Sequence, residues 1–247
     1  MRFGFEGHGC FPTGKHYPGI AHLLKVAAAG LADEFAHDRA VAEMLLVCID
    51  TETTGRDPAA DRIVEVGCVT FRGGEIISRK SWLINPGCPI PDEAFQVHGI
   101  DDEQVKDKPK FSEIADEILA ELEGKVPVAY NAEFDQRFLQ QELQRAGHVA
   151  KSLPPATRPK VQWLDPLIWA RELHKDAKSK ALSAMAELLS VTLEKAHRAT
   201  DDAAAAALVL ARFFQDTRVP KTYSAFMQEQ RRLARAQLDD RPYWRNG

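Results

Sequence analysis

The amino-acid sequence predicts an α/β protein: a mixed five-stranded sheet flanked by helices. Two observations carry this reading. Short β-rich runs at 46–50 and 62–71 are followed by Gly73-Gly74 and a third such run at 75–85, which gives three strands in antiparallel order. Beyond residue 110, helical apolar periods alternate with short apolar runs at 126–130 and 161–165. At 247 residues, 45% hydrophobic and 28% charged, the chain has the make-up of a soluble globular domain with extensions.

Taken in order, residues 1–19 hold five glycines and two prolines and read as a flexible lead-in. Gly9-x4-Gly14-Lys15 resembles the start of a phosphate-binding loop, but His16 stands where that loop needs Ser or Thr. His8, Cys10, His16 and His22 match no closed zinc spacing. Ile20, Leu23, Leu24, Ala27, Ala28, Leu31 and Phe35 fall at helical spacing, so residues 20–45 predict an amphipathic helical extension. The strand at 46–50 ends in Asp50-Thr51-Glu52-Thr53-Thr54-Gly55. Pro86, Pro89 and Pro91 then break the chain into a loop that leads to Val97-His98-Gly99-Ile100. Helices are expected over 111–123, with Ser112 or the preceding loop as cap, and over 132–146, ended by Gly147. Pro166 opens another to Leu173, and 181–189 and 203–214 are two more. Domain limits follow: an extension at 1–45, the main domain at 46–216, and a tail at 217–247.

The net charge of -4 does not advertise a nucleic-acid binder, and it is uneven. Residues 218–247 carry seven basic and three acidic residues, so the rest is more acidic than the total suggests. The tail interleaves Arg231, Arg232, Arg235, Arg241 and Arg245 with Leu233, Tyr243 and Trp244. It reads as a surface for a partner or nucleic acid, or as a solvated helix with a frayed end. Cys10, Cys48, Cys68 and Cys88 show no C-x-x-C spacing and read as reduced core residues of a cytoplasmic protein. No apolar run approaches membrane-spanning length, and no signal-peptide core is present.

Side chains on a strand alternate faces, so Asp50 and Glu52 point the same way. Two carboxylates there repel each other, and a hard divalent cation between them relieves the repulsion. Asn131-x3-Asp135 begins the helix after the fourth strand, and His197-x4-Asp202 precedes the last strong helix. His197 and Asp202 can face one site if His197 lies in the loop, Thr200 caps the helix and Asp202 occupies its first turn. Read singly, each has an ordinary explanation: exposed strand-end acids, a first turn favoured by the helix dipole, a loop histidine. Read together, Asp50, Glu52, Asp135 and Asp202 supply four carboxylates for two divalent ions, a phosphodiester-cleaving arrangement. His197 is the candidate base for an attacking water.

These residues carry a family resemblance. "IDTETTG", "VHGI", "YNAEFDQRFL" and "AHRATDDA" resemble, in order, the motifs of the DEDDh 3′–5′ exonucleases, and are most similar to the proofreading (epsilon) subunit of bacterial DNA polymerase III and its relatives. The resemblance covers about residues 46–214. It implies a ribonuclease H-like fold and two Mg²⁺ or Mn²⁺ ions. Asp50, Glu52 and Asp202 would be direct ligands, Asp135 would help hold the second ion, and His197 would be the base. By the same analogy Thr53, Thr54 and His98 would line the pocket of the 3′-terminal nucleotide, with Asn131 and Phe134 near it.

The implied substrate is a single-stranded DNA 3′ end, because a terminal base must leave its stack to be cleaved. An exoribonuclease is the alternative within the family. A polymerase-associated docking subunit is the alternative from another class. The tail contains no clear sliding-clamp peptide, so a free-standing repair enzyme stands beside a DNA polymerase subunit as the expected setting.

Overall fold

A computed structural model describes residues 30–148, 153–192 and 198–239. Its centre is strand β1 (Leu46–Thr53), which pairs antiparallel with β2 (Ile63–Arg72) from Leu46 opposite Phe71 to Thr53 opposite Ile63. The register shifts after Glu52. Strand β3 (Glu75–Leu83) pairs antiparallel with β2, and the short β4 (Val126–Val128) lies parallel on the far side of β1. The order is β3-β2-β1-β4. Gly73 and Gly74, with φ of 61° and 85°, make the hairpin turn that side-chain-bearing residues resist.

Both faces of β1 are covered. Leu46 and Cys48 sit in one apolar cluster with Val69 and Phe71, beneath helices α5 (Pro166–Leu173), α7 (Ala199–Phe213) and α8 (Tyr223–Asp239). Val47 and Ile49 face the other way, toward α3 (Phe111–Leu122) and α4 (Ala132–Arg145). That is the two-residue period of a strand buried on both sides. Short helices α1 (Asp92–His98) and α2 (Asp102–Val105) follow β3, and α6 (Leu182–Leu188) precedes α7.

The structure corrects several expectations. The sheet has four strands among the described residues, not five: 161–165 makes one bridge, Val128 with Leu164, and no strand. Leu164 N donates to Pro127 O and Ala129 N to Leu164 O. Pairing stops there because Asp165 turns away to cap α5 and its own N–H donates to Gln230 Oε1. The loop expected before Gly99 contains α1, ended by Gly99 at φ 68°. The described part of the 20–45 extension holds one 3-10 turn, Val41–Glu43, rather than an amphipathic helix. The remainder of that extension lies outside the described residues, as do Cys10, the early glycines and the end of the tail. Cys48 and Cys68 are buried as expected, and burial pushes both thiols up, Cys68 to about 12; Cys88 is exposed. No described helix is long and apolar enough to cross a membrane.

The described part of the basic tail, α8, is not a solvated helix. Tyr223, Phe226, Met227 and Leu233 of α8 are buried in the same cluster as β1 and β2. The segment before β1 packs with it: Tyr223 N donates to Arg39 O, Ser224 N to His37 O, and Val41 N to Lys221 O. Phe35 meets the Tyr223 ring edge-on at 5.8 Å. Arg232 and Arg235 lie on the exposed side of this amphipathic helix and Arg231 is half-buried at its flank, so the arginine count alone concealed an apolar face. Phe226 is fully buried against Trp169 and Phe214. Phe226→Ala should therefore lower unfolding stability by about 3–5 kcal/mol in a denaturant titration. A loss near zero would mean that α8 does not belong to the cooperative core.

Candidate active site

Asp50 and Glu52 leave the same face of β1 near its end. Their partners on β2 are Gly67 and Glu65. Gly67 matters because it has no side chain: a Cβ there would overlap the Ala199 carbonyl and the Thr200 nitrogen. The backbone that opens α7 thus lies directly on the sheet, opposite Asp50. One turn later comes Asp202. Single carboxylate oxygens of Asp50, Glu52 and Asp202 all lie within 4.8 Å of one another. Three convergent hard oxygen donors, with Glu52 only 9% exposed, suit a divalent cation and are unfavourable without one.

Asp135 stands beside this trio rather than inside it. Its Oδ1 accepts from Thr51 N at 2.9 Å and Thr51 Oγ1 at 2.8 Å. Thr51 lies between the two acids of β1, so the first turn of α4 is pinned to the strand that bears them. That turn is also held by Asp165, which sequence reading missed. Its carboxylate accepts from Asn131 N at 3.0 Å, Ala132 N at 3.1 Å and Leu167 N at 2.9 Å, joining the starts of α4 and α5. An Asp before Pro at a helix start was the available signal. Asn131 itself takes a left-handed conformation, φ 71°.

Glu65 was missed too. It is fully buried, and its carboxylate accepts from Arg198 Nε at 3.2 Å, Arg198 Nη2 at 3.0 Å and Ser81 Oγ at 2.6 Å. Ala199 N also donates to it, at 3.4 Å. Glu65 therefore ties β3 and the first residues of α7 to β2. Arg198, not Thr200, is the N-cap residue of α7, and no side chain caps that end; Thr200 lies within the first turn. The placement of His197 lies outside the described residues.

The electrostatics match this crowding. Burial, followed by the charges of Asp135, Glu52, Asp202 and Glu65, pushes Asp50 well above the usual carboxylate range. Burial with Asp202, Glu65 and Asp135 raises Glu52 to about 7, and Arg198 opposes this. Burial raises Asp135 to about 7 despite its hydrogen bonds from Thr51.

Beside the acids a cavity of about 570 Å³ is lined by Thr53, Thr54, His98, Phe134, Glu93 and Val97, among others. Four of the five expected substrate contacts come together here. Thr53 Oγ1 donates to Gly55 O, Thr54 Oγ1 accepts from Arg62 N, and His98 Nδ1 accepts from Ile100 N. These groups shape the cavity through their own loops. Asn131 instead lines a different groove.

Comparison with known proteins agrees with this geometry. The model of the family described as Exonuclease matches residues 47–210. The chain belongs to this exonuclease family. It is 33% identical to DNA polymerase III PolC-type of Thermotoga maritima over 197 residues, 80% of this chain and 14% of that protein. The chain thus spans about a seventh of the PolC-type relatives it matches. Over 94 residues it is 45% identical to DNA polymerase III subunit epsilon of Treponema pallidum, covering 38% of this chain and 44% of that one. The solved Exonuclease X in complex with 5′ overhanging duplex DNA superposes with a TM-score of 0.57 at 25% identity, over 74% of this chain and 99% of that one. The fold is accordingly that of the ribonuclease H-like exonucleases.

Two outcomes follow. Gly67→Ala cannot be accommodated by a rotamer change, because its Cβ meets backbone. It should displace the start of α7 and weaken Mn²⁺ binding, measured by calorimetry, at least tenfold, the equivalent of about 1.4 kcal/mol. Unchanged Mn²⁺ affinity would show that α7 does not set the cluster. The second outcome concerns pH. Glu52 and Asp135 bind protons more tightly when folded than when unfolded, so their contribution to metal-free stability is fully present at the ordinary carboxylate pKa and below. That contribution should be lost as pH rises through about 7, so metal-free stability should fall between pH 5 and pH 8, and divalent cation should restore more of it at pH 8 than at pH 5. Melting temperatures in chelator and in Mg²⁺ across that range test this; a flat chelator curve would contradict the crowding.

Proposed function

We propose that this protein is a metal-dependent 3′–5′ exonuclease that removes nucleotides from single-stranded DNA ends. The observation that carries it is the convergence of Asp50, Glu52 and Asp202 at the close contact between β1–β2 and α7, inside the stretch matched by the exonuclease family. In this reading Asp50, Glu52 and Asp202 hold a divalent cation, and Asp135, anchored by Thr51, helps hold a second. Mg²⁺ or Mn²⁺ fits the all-oxygen donor set, and when bound supplies Lewis acidity at the scissile phosphate.

The chain's own groups do the rest. The cavity lined by Thr53, Thr54, His98 and Phe134 receives the terminal nucleotide, with the Phe134 ring available for a base to stack on. Asn131, at the start of α4, lines the neighbouring groove instead. His197, which directly precedes the α7 N-cap in sequence, takes the proton of the attacking water, since neutral imidazole accepts a proton near pH 7. Arg198 pairs with Glu65 and also lies near Glu52, so it offsets part of the repulsion that Glu65 adds to the other acids at this end of the sheet. The catalytic unit we propose runs from about residue 31 to 239, because both flanking segments share the core. DNA is favoured over RNA by the polymerase III relatives and by the DNA complex of Exonuclease X. The same relatives make a DNA polymerase in the cytoplasm the partner class we propose.

The test uses 5′-labelled single-stranded DNA and RNA of one sequence with Mg²⁺, Mn²⁺ or chelator. A metal-dependent ladder on DNA is expected. Asp50→Asn should lower the rate about 10³-fold with folding retained, the scale of a lost interaction worth several kcal/mol in the transition state. A ladder on RNA alone would make the enzyme an RNA trimmer; near-normal cleavage by Asp50→Asn would remove the metal-site assignment.

A further inference from the structure

A second cavity, of about 460 Å³, shares the first turn of α4 but no lining residue with the terminal-nucleotide cavity. Asn131, one helical turn from Asp135, forms one lip. Arg171 of α5 and Arg231 and Arg235 of α8 line the wall, with Leu238 beyond them. The family match ends at residue 210, so Arg231 and Arg235 come from an element outside it. They stand one turn apart on α8, about 6 Å along its axis. Of the acids lining the groove, Asp165 is committed to three backbone N–H groups, and Glu133 is exposed and lies 3.9 Å from Arg137. Gln237 is engaged as well: its Nε2 donates to Ile168 O at 2.9 Å and its Oε1 accepts from Arg171 at 3.5 Å.

We propose that this groove carries the sugar–phosphate backbone of a single-stranded polynucleotide, on the 5′ side of the nucleotide being removed. The inference rests on the exonuclease reading and extends it. The chain is net acidic, and its metal cluster repels a polyanion until cations are bound. A strand needs a local basic track to reach such a site, and this groove begins at the turn that carries Asp135. Guanidinium forks suit phosphate oxygens without reading sequence, as expected for an enzyme that degrades any strand.

The experiment uses the full chain in chelator, so that binding is read without cleavage. Fluorescence anisotropy would follow a labelled thymidine 12-mer and trimer at several salt concentrations, for wild type, Arg235→Glu and Arg171→Gln. Arg235 is exposed, so its variant tests the groove without disturbing the core. The expected result is about a tenfold loss of 12-mer affinity for Arg235→Glu, with the salt slope reduced by about 0.7 for each arginine removed. The trimer, too short to fill both cavities, should lose markedly less. Equal losses for both lengths, or unchanged 12-mer affinity and slope in both variants, would overturn the groove. Cleavage of the trimer by wild type in Mn²⁺ reports separately on the exonuclease reading. Variant-sensitive 12-mer binding without any cleavage would sink that reading and leave the groove standing.

Discussion

The arrangement of the candidate site depends on helix α7 lying against strand β2 with no side chain between them. Gly67 makes that contact available, and its register partner is Asp50. A residue with a Cβ would lift the helix start and carry Asp202 away from the two acids of β1. The contact is also electrostatically demanding, since it places three carboxylates within 4.8 Å of one another. Short-range packing therefore forces a charge density that water and protein alone accommodate poorly. In the function we propose, a bound cation relieves that repulsion.

The buried acids near this point divide by how their charge is met. Glu65 is offset by the Arg198 fork and by Ser81. Asp165 and Asp135 are met mainly by N–H and hydroxyl donors, at helix starts or on β1. These three hold elements in place. Asp50, Glu52 and Asp202 are the ones whose oxygens converge, which marks them as the candidate metal-binding cluster. Burial alone would not make that distinction, because Glu65 and Asp135 are more buried than Glu52.

The described segments on either side of the family match are joined through their backbones. Residues 37–41 exchange hydrogen bonds with 221–224, and Phe35 packs on Tyr223. Helix α8 thereby closes the apolar face of the sheet on one side and presents arginines to a groove on the other. An element outside the matched family region thus adds both core and charge.

Much of this was legible along the chain. The alternation of β1 placed Asp50 and Glu52 on one face, and the glycine pair announced the β2–β3 turn. The spacing around 131–135 and 197–202 located the other acids, because all of these follow from the short-range geometry of strands and helices. The fifth strand was overread, since a β-like run at 161–165 says nothing of the Gln230 and Asp165 hydrogen bonds that draw it off the sheet. The helix start at Ala199, the role of Glu65 and the burial of α8 were likewise not local matters. Glu65 meets Arg198 across 133 residues, and Phe226 meets Trp169 across a fold. The sequence by itself determined which side chains share a face, through periodicities of two and 3.6 residues. Which faces meet was decided only by tertiary structure, because that choice depends on packing and charge compensation between segments far apart in the chain.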